Sequence, residues 1–176
     1  MGTLNVANLN HTGDTFTTNA NLNFGGSWTD APPGTIIKVS YGEGTTEMST
    51  TAAQAYYTIH SVNHTALATN SKYFLTAYCH AYDVNPGTRA NLGFSVTIGG
   101  VTTRIQGVDG SYGDAWGTAA YPGANLNRST VYTSTAASGT VLTFNLMGAS
   151  WDTNSTKFNY TGYGHISTLT IMEIAT

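Results

Sequence analysis

Charged residues are scarce in this chain. Only 9% of its 176 residues are Asp, Glu, Lys or Arg, against about 25% in an average soluble domain. The six basic residues are scattered singly along the sequence, so we expect no nucleic-acid-binding surface. Helix surfaces are normally rich in Glu, Lys and Arg, and the shortage of these residues argues against a helical fold.

Cysteine and long apolar runs are also nearly absent. The single cysteine, Cys79, excludes an intrachain disulfide. No run of about 18 apolar residues occurs, so we expect no membrane-spanning helix. The first residues contain neither a basic segment nor an apolar one, which predicts synthesis in the cytoplasm without a signal peptide.

The motifs that usually mark an enzyme are missing as well. The sequence contains no P-loop, no G-x-S-x-G, no H-E-x-x-H and no grouping of Cys with His. His60 and His64 are four residues apart, which in a strand is about 13 Å and too far to share a metal ion. We therefore expect no catalytic residue, no metal and no cofactor. Hydrolysis by Asp109 and Asp114 is a minor alternative, because a turn-forming role suits both better.

Thr, Ser, Asn, Gly and Tyr are abundant instead, and this composition favours β structure. The longest aromatic-rich extended run is Ser71 to Val84, S-K-Y-F-L-T-A-Y-C-H-A-Y-D-V, which we interpret as a central strand. One face of this strand is apolar, and it consists of Tyr73, Leu75, Ala77, Cys79 and Ala81. The opposite face is tall and amphipathic, so a second sheet or another subunit must cover it. We predict that Phe74, Tyr78, His80 and Tyr82 pack against one of these two, and they are our candidates for a subunit interface.

Further strands are predicted on both sides of this run. They lie at Thr35–Tyr41, Ala55–Val62, Leu92–Ile98, Val101–Ile105, around Tyr132, at Val141–Leu146 and at Ile166–Ile174. Gly99-Gly100 is a two-residue hairpin signal. About eight strands at this spacing predict an all-β fold, an antiparallel β-sandwich resembling a jelly roll, over residues 32–176.

The first 31 residues differ in amino-acid composition from the rest of the chain. They are rich in Asn, Thr and Gly and contain only sparse apolar residues, so they cannot form a core alone. We expect residues 1–31 to be an extended N-terminal arm that attaches to a partner surface.

The longest predicted loop, Gly107 to Asn127, holds the best candidate binding site. Its aromatic rings could stack on sugar faces while nearby acids accept hydrogen bonds, which gives a possible glycan or receptor site. The residues concerned are Tyr112, Trp116, Tyr121, Asp109 and Asp114. The alternative, which we favour, is that these rings pack on the sandwich or across a subunit contact.

Four segments together resemble a β-sandwich family of virion proteins in tailed bacteriophages, notably phages of cyanobacteria and other aquatic bacteria. They are P-G-T-I-I-K-V-S-Y from Pro33, S-K-Y-F-L-T-A-Y from Ser71, G-V-D-G-S-Y-G-D-A-W-G from Gly107, and I-S-T-L-T-I-M-E-I-A from Ile166. The resemblance covers about Pro32 to Thr176.

This resemblance implies a non-enzymatic, surface-exposed domain, often a homotrimer, that serves as a capsid decoration or cement protein or as a tail-fibre tip. It supplies no catalytic residues. The chain departs from long fibre proteins because it has no shaft repeats, so the arm is better suited to clamping onto a neighbouring virion protein. The alternative function is a tail-fibre module that binds a glycan or receptor on the host.

Overall fold

The computed structural model describes residues 31–52, 55–83, 89–106, 115–116, 123–150 and 155–176. These residues form two antiparallel β-sheets that pack face to face, so the predicted all-β sandwich is confirmed. The arm predicted for residues 1–31 lies outside the described residues except for Ala31.

Eleven strands are present in the described residues. They are β1 (Ile36–Gly44), β2 (Met48–Thr50), β3 (Tyr57–Thr65), β4 (Lys72–Asp83), β5 (Arg89–Ile98), β6 (Val101–Gln106), β7 (Ala115–Trp116), β8 (Gly123–Thr133), β9 (Val141–Ser150), β10 (Thr156–Phe158) and β11 (Ser167–Ile174). A single 3-10 turn at Thr161–Tyr163 precedes the last strand.

The first sheet has the strand order β1-β11-β4-β8, and the second has the order β3-β9-β5-β6. The short strands lengthen these rows: β10 continues β11 along β4, β2 pairs with β10, and β7 pairs with β5 next to β6. Numbered by chain order, the eight long strands lie 1-8-3-6 in one sheet and 2-7-4-5 in the other. This arrangement is that of a jelly roll.

Strand β4 is the centre of the first sheet. One edge pairs with β8 along eleven residues, and the other pairs with β11 and then β10. Its two faces divide as the alternation predicts, because its apolar side chains are almost completely buried, namely Tyr73, Leu75, Ala77, Cys79 and Ala81. Burial of each large side chain on this face contributes about 1.5–3 kcal/mol to the stability of the fold.

The core lies between the two sheets. Strands of the second sheet contribute Leu92, Phe94, Leu142, Phe144 and Leu146, all fully buried. The ring of Tyr73 lies 5.3 Å from that of Phe144 across the sandwich, a separation typical of a favourable aromatic pair.

The hairpin signal at Gly99-Gly100 is confirmed. Both glycines join β5 to β6 with positive φ angles, +57° and +83°. A side chain at either position would be strained in this backbone conformation.

The predicted end of the long loop was wrong. Strand β8 begins at Gly123, so residues 123–127 pair with β4 and do not belong to a loop that reaches Asn127. Inward positions of β8 include Leu126, Arg128 and Thr130, opposite Cys79, Ala77 and Leu75. The strand predicted around Tyr132 is the end of β8, and its first half was placed in the loop because this face mixes polar with apolar residues, so the alternation is weak.

Candidate interaction surface

The outer face of the first sheet, which points away from the second sheet, carries a band of apolar side chains. Strand register places Val39 opposite Met172, Met172 opposite Phe74, and Phe74 opposite Val131. These four residues, one from each of β1, β11, β4 and β8, form what we call the apolar row. The row crosses the whole width of the sheet.

Both ends of the apolar row are open to solvent. Val39 is 56% exposed and Val131 is 57% exposed, whereas Phe74 and Met172 are partly buried. Seven large hydrophobic residues are exposed in the described part of the chain, and four of them, Ile36, Val39, Tyr41 and Val131, belong to this outer face. Apolar residues gathered on one face mark an interaction surface more often than residues scattered singly.

The row next to the apolar row consists of hydroxyl-bearing residues. Tyr41 lies opposite Thr170, Thr170 opposite Thr76, and Thr76 opposite Ser129. Thr170, Thr76 and Ser129 carry short side chains, whereas Tyr41 at the edge of the sheet is 56% exposed.

The predicted interface residues of β4 do not share one environment. Tyr78, His80 and Tyr82 are each engaged by residues of the same chain. The hydroxyl of Tyr78 donates to Asn125 Oδ1 at 2.8 Å, and the ring of Tyr82 stacks on Tyr160 with 4.8 Å between centroids. Phe74 alone among the four belongs to the apolar row.

His80 contacts His165 through their Nδ1 atoms. The two rings lie edge to face with 3.6 Å between centroids. Burial, followed by the neighbouring charge of His165, lowers the pKa of His80 below its ordinary 6.5. The pair therefore favours a neutral His80, and it fastens the segment after the 3-10 turn to the outer face of β4.

Tyr160 is held from a second direction. Lys157 Nζ lies 4.7 Å from the ring centroid of Tyr160, within cation–π range, and 3.1 Å from Glu47 Oε1. Glu47 also accepts hydrogen bonds from the backbone N–H and the hydroxyl of Thr161, each at 3.2 Å. These contacts cover the β10 end of the outer face with the chain's own residues, which leaves the apolar row at the other end.

A buried carboxylate lies on the inner side of the first sheet. Glu173 is fully buried, and its oxygens accept hydrogen bonds from His64 Nε2 at 2.9 Å and from Ser71 Oγ at 2.7 Å. The backbone N–H groups of Leu67 and Ala68 also donate to it, at 2.9–3.0 Å. Glu173 thus fastens β3 and the β3–β4 connection to β11.

These donors determine the ionisation of Glu173. Burial alone would raise its pKa, but the hydrogen bonds from His64, Ala68, Leu67 and Ser71 outweigh burial and lower the pKa to about 2. The group is therefore a carboxylate at neutral pH, with its negative charge compensated inside the protein.

Ser40 extends this network into the order of a nucleophile, a base and an acid. Its Oγ lies 2.9 Å from His64 Nδ1, while His64 Nε2 contacts Glu173. Acyl-transfer chemistry would also need a cleft and oxyanion donors beside the serine. The groove of about 280 Å³ near this network lies against Leu67–Thr69 and Thr176 and does not include Ser40. The three side chains join β1, β3 and β11.

The five predicted glycan or receptor residues fall mostly outside the described part of the chain. Asp109, Asp114, Tyr112 and Tyr121 lie there, and only the backbone of Trp116 is described. That backbone belongs to β7, where Trp116 pairs with Arg89 at the start of β5. The structure thus attaches this point of the segment to the second sheet.

The described residues contain neither a metal-binding cluster nor a membrane-spanning helix. Within residues 31–176, apart from the gaps given above, no three His, Cys, Asp or Glu side chains converge to hold a metal ion. The same part of the chain contains no helix that is long and apolar enough to span a membrane.

No family model matches the chain, and no curated protein matches it either. It is similar to solved structures of infectious bursal disease virus. The Gx strain structure has a TM-score of 0.40 at 14% identity over 79% of this chain and 37% of that one. The T13 viral particle has 0.40 at 13% over 80% and 36%, and the VP2 subviral particle has 0.36 at 12% over 80% and 38%.

This chain therefore spans less than two fifths of the length of each of these viral proteins. At TM-scores of 0.40 and below, the likeness assigns neither a family nor a function.

Proposed function

We propose that the chain is a non-enzymatic structural protein of a bacteriophage virion. In this proposal it is a surface-exposed, trimeric jelly roll that acts as a capsid decoration or cement protein or as a short fibre. The observation that carries the proposal is the outer face of the first sheet, where four of the seven large hydrophobic residues that are exposed in the described part of the chain collect. A gathered apolar face of this kind marks an interaction surface more often than scattered residues do.

The use of the buried polar groups supports a structural role. Glu173 and His64, a carboxylate and an imidazole that could serve catalysis, are both fully buried and engaged in holding one loop to one strand. The phage setting comes from the four sequence segments that resemble virion β-sandwich proteins. Fold alone would not select this role, since jelly rolls also occur in lectins and cupins.

The arm supplies the attachment in this proposal. Residues 1–31 contain too few apolar residues to fold alone, and the described chain begins beside the groove that Ala31 and Thr176 line. We propose that the arm leaves the sandwich at this end and binds a neighbouring virion protein.

Purified phage particles test the proposal directly. The chain should be found by mass spectrometry in gradient-purified particles, in a fixed ratio to the major capsid protein. A gold-labelled antibody should bind intact particles, over the capsid for a decoration protein or at the tail for a fibre. An abundant non-structural protein of the infected cell serves as the control for carry-over. Presence in the infected-cell lysate with absence from particles would overturn the proposal.

A further inference from the structure

We infer that the apolar row is the contact through which copies of this chain bind one another, and that the β10 end of the same outer face is not part of that contact. This inference rests on the proposed function and adds to it the surface and the partner, which is a second copy of this chain. Of the four interface residues predicted from the sequence, the inference keeps Phe74. It adds Val39, Met172 and Val131, which lie on the other three strands of the sheet.

The first argument is the division of the outer face by its own contacts. Tyr82 and His80 already pack against Tyr160 and His165 of the same chain. Val39 and Val131, at the two edges of the sheet, remain more than half exposed. A partner that bound the β10 end would have to displace existing ring contacts, whereas a partner on the apolar row would only remove apolar surface from water.

The second argument is the position of the apolar row along the strand direction. Its four residues are cross-strand neighbours, so they lie at one level along the strand direction. Any rotation axis parallel to the strands keeps each residue at its level. In a closed ring, the copies turn their outer faces toward this axis. Val39 and Met172 of one copy then meet Phe74 and Val131 of the next copy, so apolar surface meets apolar surface.

The third argument is charge. On the four strands of the outer face, the outward positions include one acid, Glu43, and one base, Lys72. Glu43 lies on the β1 side at the level of Tyr78, and Lys72 lies on the β4 side at the level of Ile174. In the same ring, each charge meets neutral residues of the next copy, so no like charges come together. A face with so few charges suits contact with itself.

The fourth argument is size. Four strands about 4.8 Å apart, with about 3.3 Å per residue, over the eight residues of β11, give roughly 500 Å² in projection. Protruding side chains raise the accessible area above this value. In a closed ring, each copy divides this face between its two neighbours, so it is the two contacts of a copy taken together that approach the value of about 800 Å² per partner of a stable interface.

Substitution of the two row ends tests the inference on the full chain. The variant Val39→Asp with Val131→Asp places charges at both ends of the row. The control, Val101→Asp with Val141→Asp, changes valines of the second sheet that are 69% and 51% exposed. Light scattering after size exclusion should give an oligomer for the parent chain and the control. The row variant should be a monomer at the same concentration, with unchanged circular dichroism.

Cross-linking tests the same contact without introducing charge. The variant Val39→Cys with Val131→Cys should give covalent oligomers on a non-reducing gel after mild oxidation, because residue 39 of one copy lies beside residue 131 of the next. The pair Val101→Cys with Val141→Cys should stay monomeric on the same gel.

A monomeric parent chain, or a row variant that stays as oligomeric as its control and gives no cross-link, would overturn the inference. A monomeric parent chain would also remove the trimer from the proposed function, whereas the virion role itself is tested by the particle experiment. A chain found on virions with an unaffected row variant would keep the function and reject this surface. Absence from virions together with a confirmed row contact would reject the proposed function and keep this surface.

Discussion

His64 and Glu173 are 109 residues apart in sequence, yet His64 Nε2 lies 2.9 Å from Glu173 Oε2 and neither side chain is exposed. The carboxylate accepts hydrogen bonds from four residues. It therefore joins the last strand of the first sheet to the first strand of the second and to the connection that leads into β4. Its environment leads to two predictions.

Replacing the carboxylate should weaken the fold strongly. In Glu173→Gln, the amide removes the negative charge and places N–H groups against donors that need an acceptor. A buried donor left without its acceptor costs about 1–3 kcal/mol, and more where a charged group takes part, so we expect a loss of about 3 kcal/mol in the free energy of unfolding, measured with urea.

The matched control is Glu43→Gln, because Glu43 is exposed and its carboxylate accepts a hydrogen bond from its neighbour Tyr41. This change should stay within about 0.5 kcal/mol. Equal losses in the two variants would contradict the role assigned to Glu173.

Low pH should remove the stabilisation that the Glu173 carboxylate gives to the fold. The pKa of Glu173 is about 2 in the folded chain against an ordinary 4.5, so the folded state binds this proton less readily than the unfolded state does. The stabilisation is complete above about pH 4.5 and is lost as pH falls from there through 2. The difference corresponds to about 3 kcal/mol.

Urea unfolding at pH 6, 4.5 and 3 measures this loss. Other carboxylates titrate in the same range, so the comparison is with Glu173→Gln, which should show a smaller decline between pH 4.5 and 3. Parallel curves for the two proteins would exclude Glu173 as the source.

The contact between His80 and His165 should be visible in a titration. Burial and the charge of His165 lower the pKa of His80, so the folded state disfavours its protonated form. Stability from this group is present above pH 6.5 and is lost as pH falls below 6.5 through the lowered pKa. The Cε1–H resonance of His80 should therefore titrate below pH 6.5 in an NMR series.

In His165→Asn the charge of the neighbour is gone, so the midpoint of His80 should move upward toward 6.5. His60→Asn, on the other sheet, should leave it in place. A parent midpoint at or above 6.5 would show that the two rings are apart in solution.

Cys79 should be chemically inert while the chain is folded. It is fully buried on the inner face of β4, and burial raises the pKa of its thiol to about 12, with the contact to Asn159 acting the other way. The thiolate is the reactive form. A thiol reagent such as DTNB should therefore react with less than about a tenth of the chains in buffer at pH 8, and fully in urea, whereas fast reaction in buffer would place Cys79 at the surface.

Local patterns predicted much of the fold. The period-two alternation from Ser71 to Val84 separated the two faces of β4 correctly, since Tyr73 and Leu75 are fully buried and Phe74 is not. The Gly99-Gly100 turn was predictable because positive φ is costly for other residues. The first half of strand β8 was not predicted, because Arg128 and Thr130 occupy inward positions.

The candidate site depended on information that the sequence does not contain. Phe74 was predictable as an interface residue, but Val39, Met172 and Val131 join it only through strand register across four strands. Register is set by long-range pairing, which no local pattern specifies. Glu173 did leave a signal, because an acid follows Leu169 and Ile171 on the buried face of β11, and a buried acid needs partners.

The groove beside Ala31 has a consequence for orientation. Ala31, the Leu67–Thr69 connection and Thr176 line it together, so the start and the end of the sandwich lie at one pole. The Gly99-Gly100 hairpin is at that pole too, and Trp116 pairs with the opposite end of β5. If residues 1–31 hold the protein to a particle, the sandwich stands upright with β7 at the end farthest from the particle, where approaching molecules arrive first.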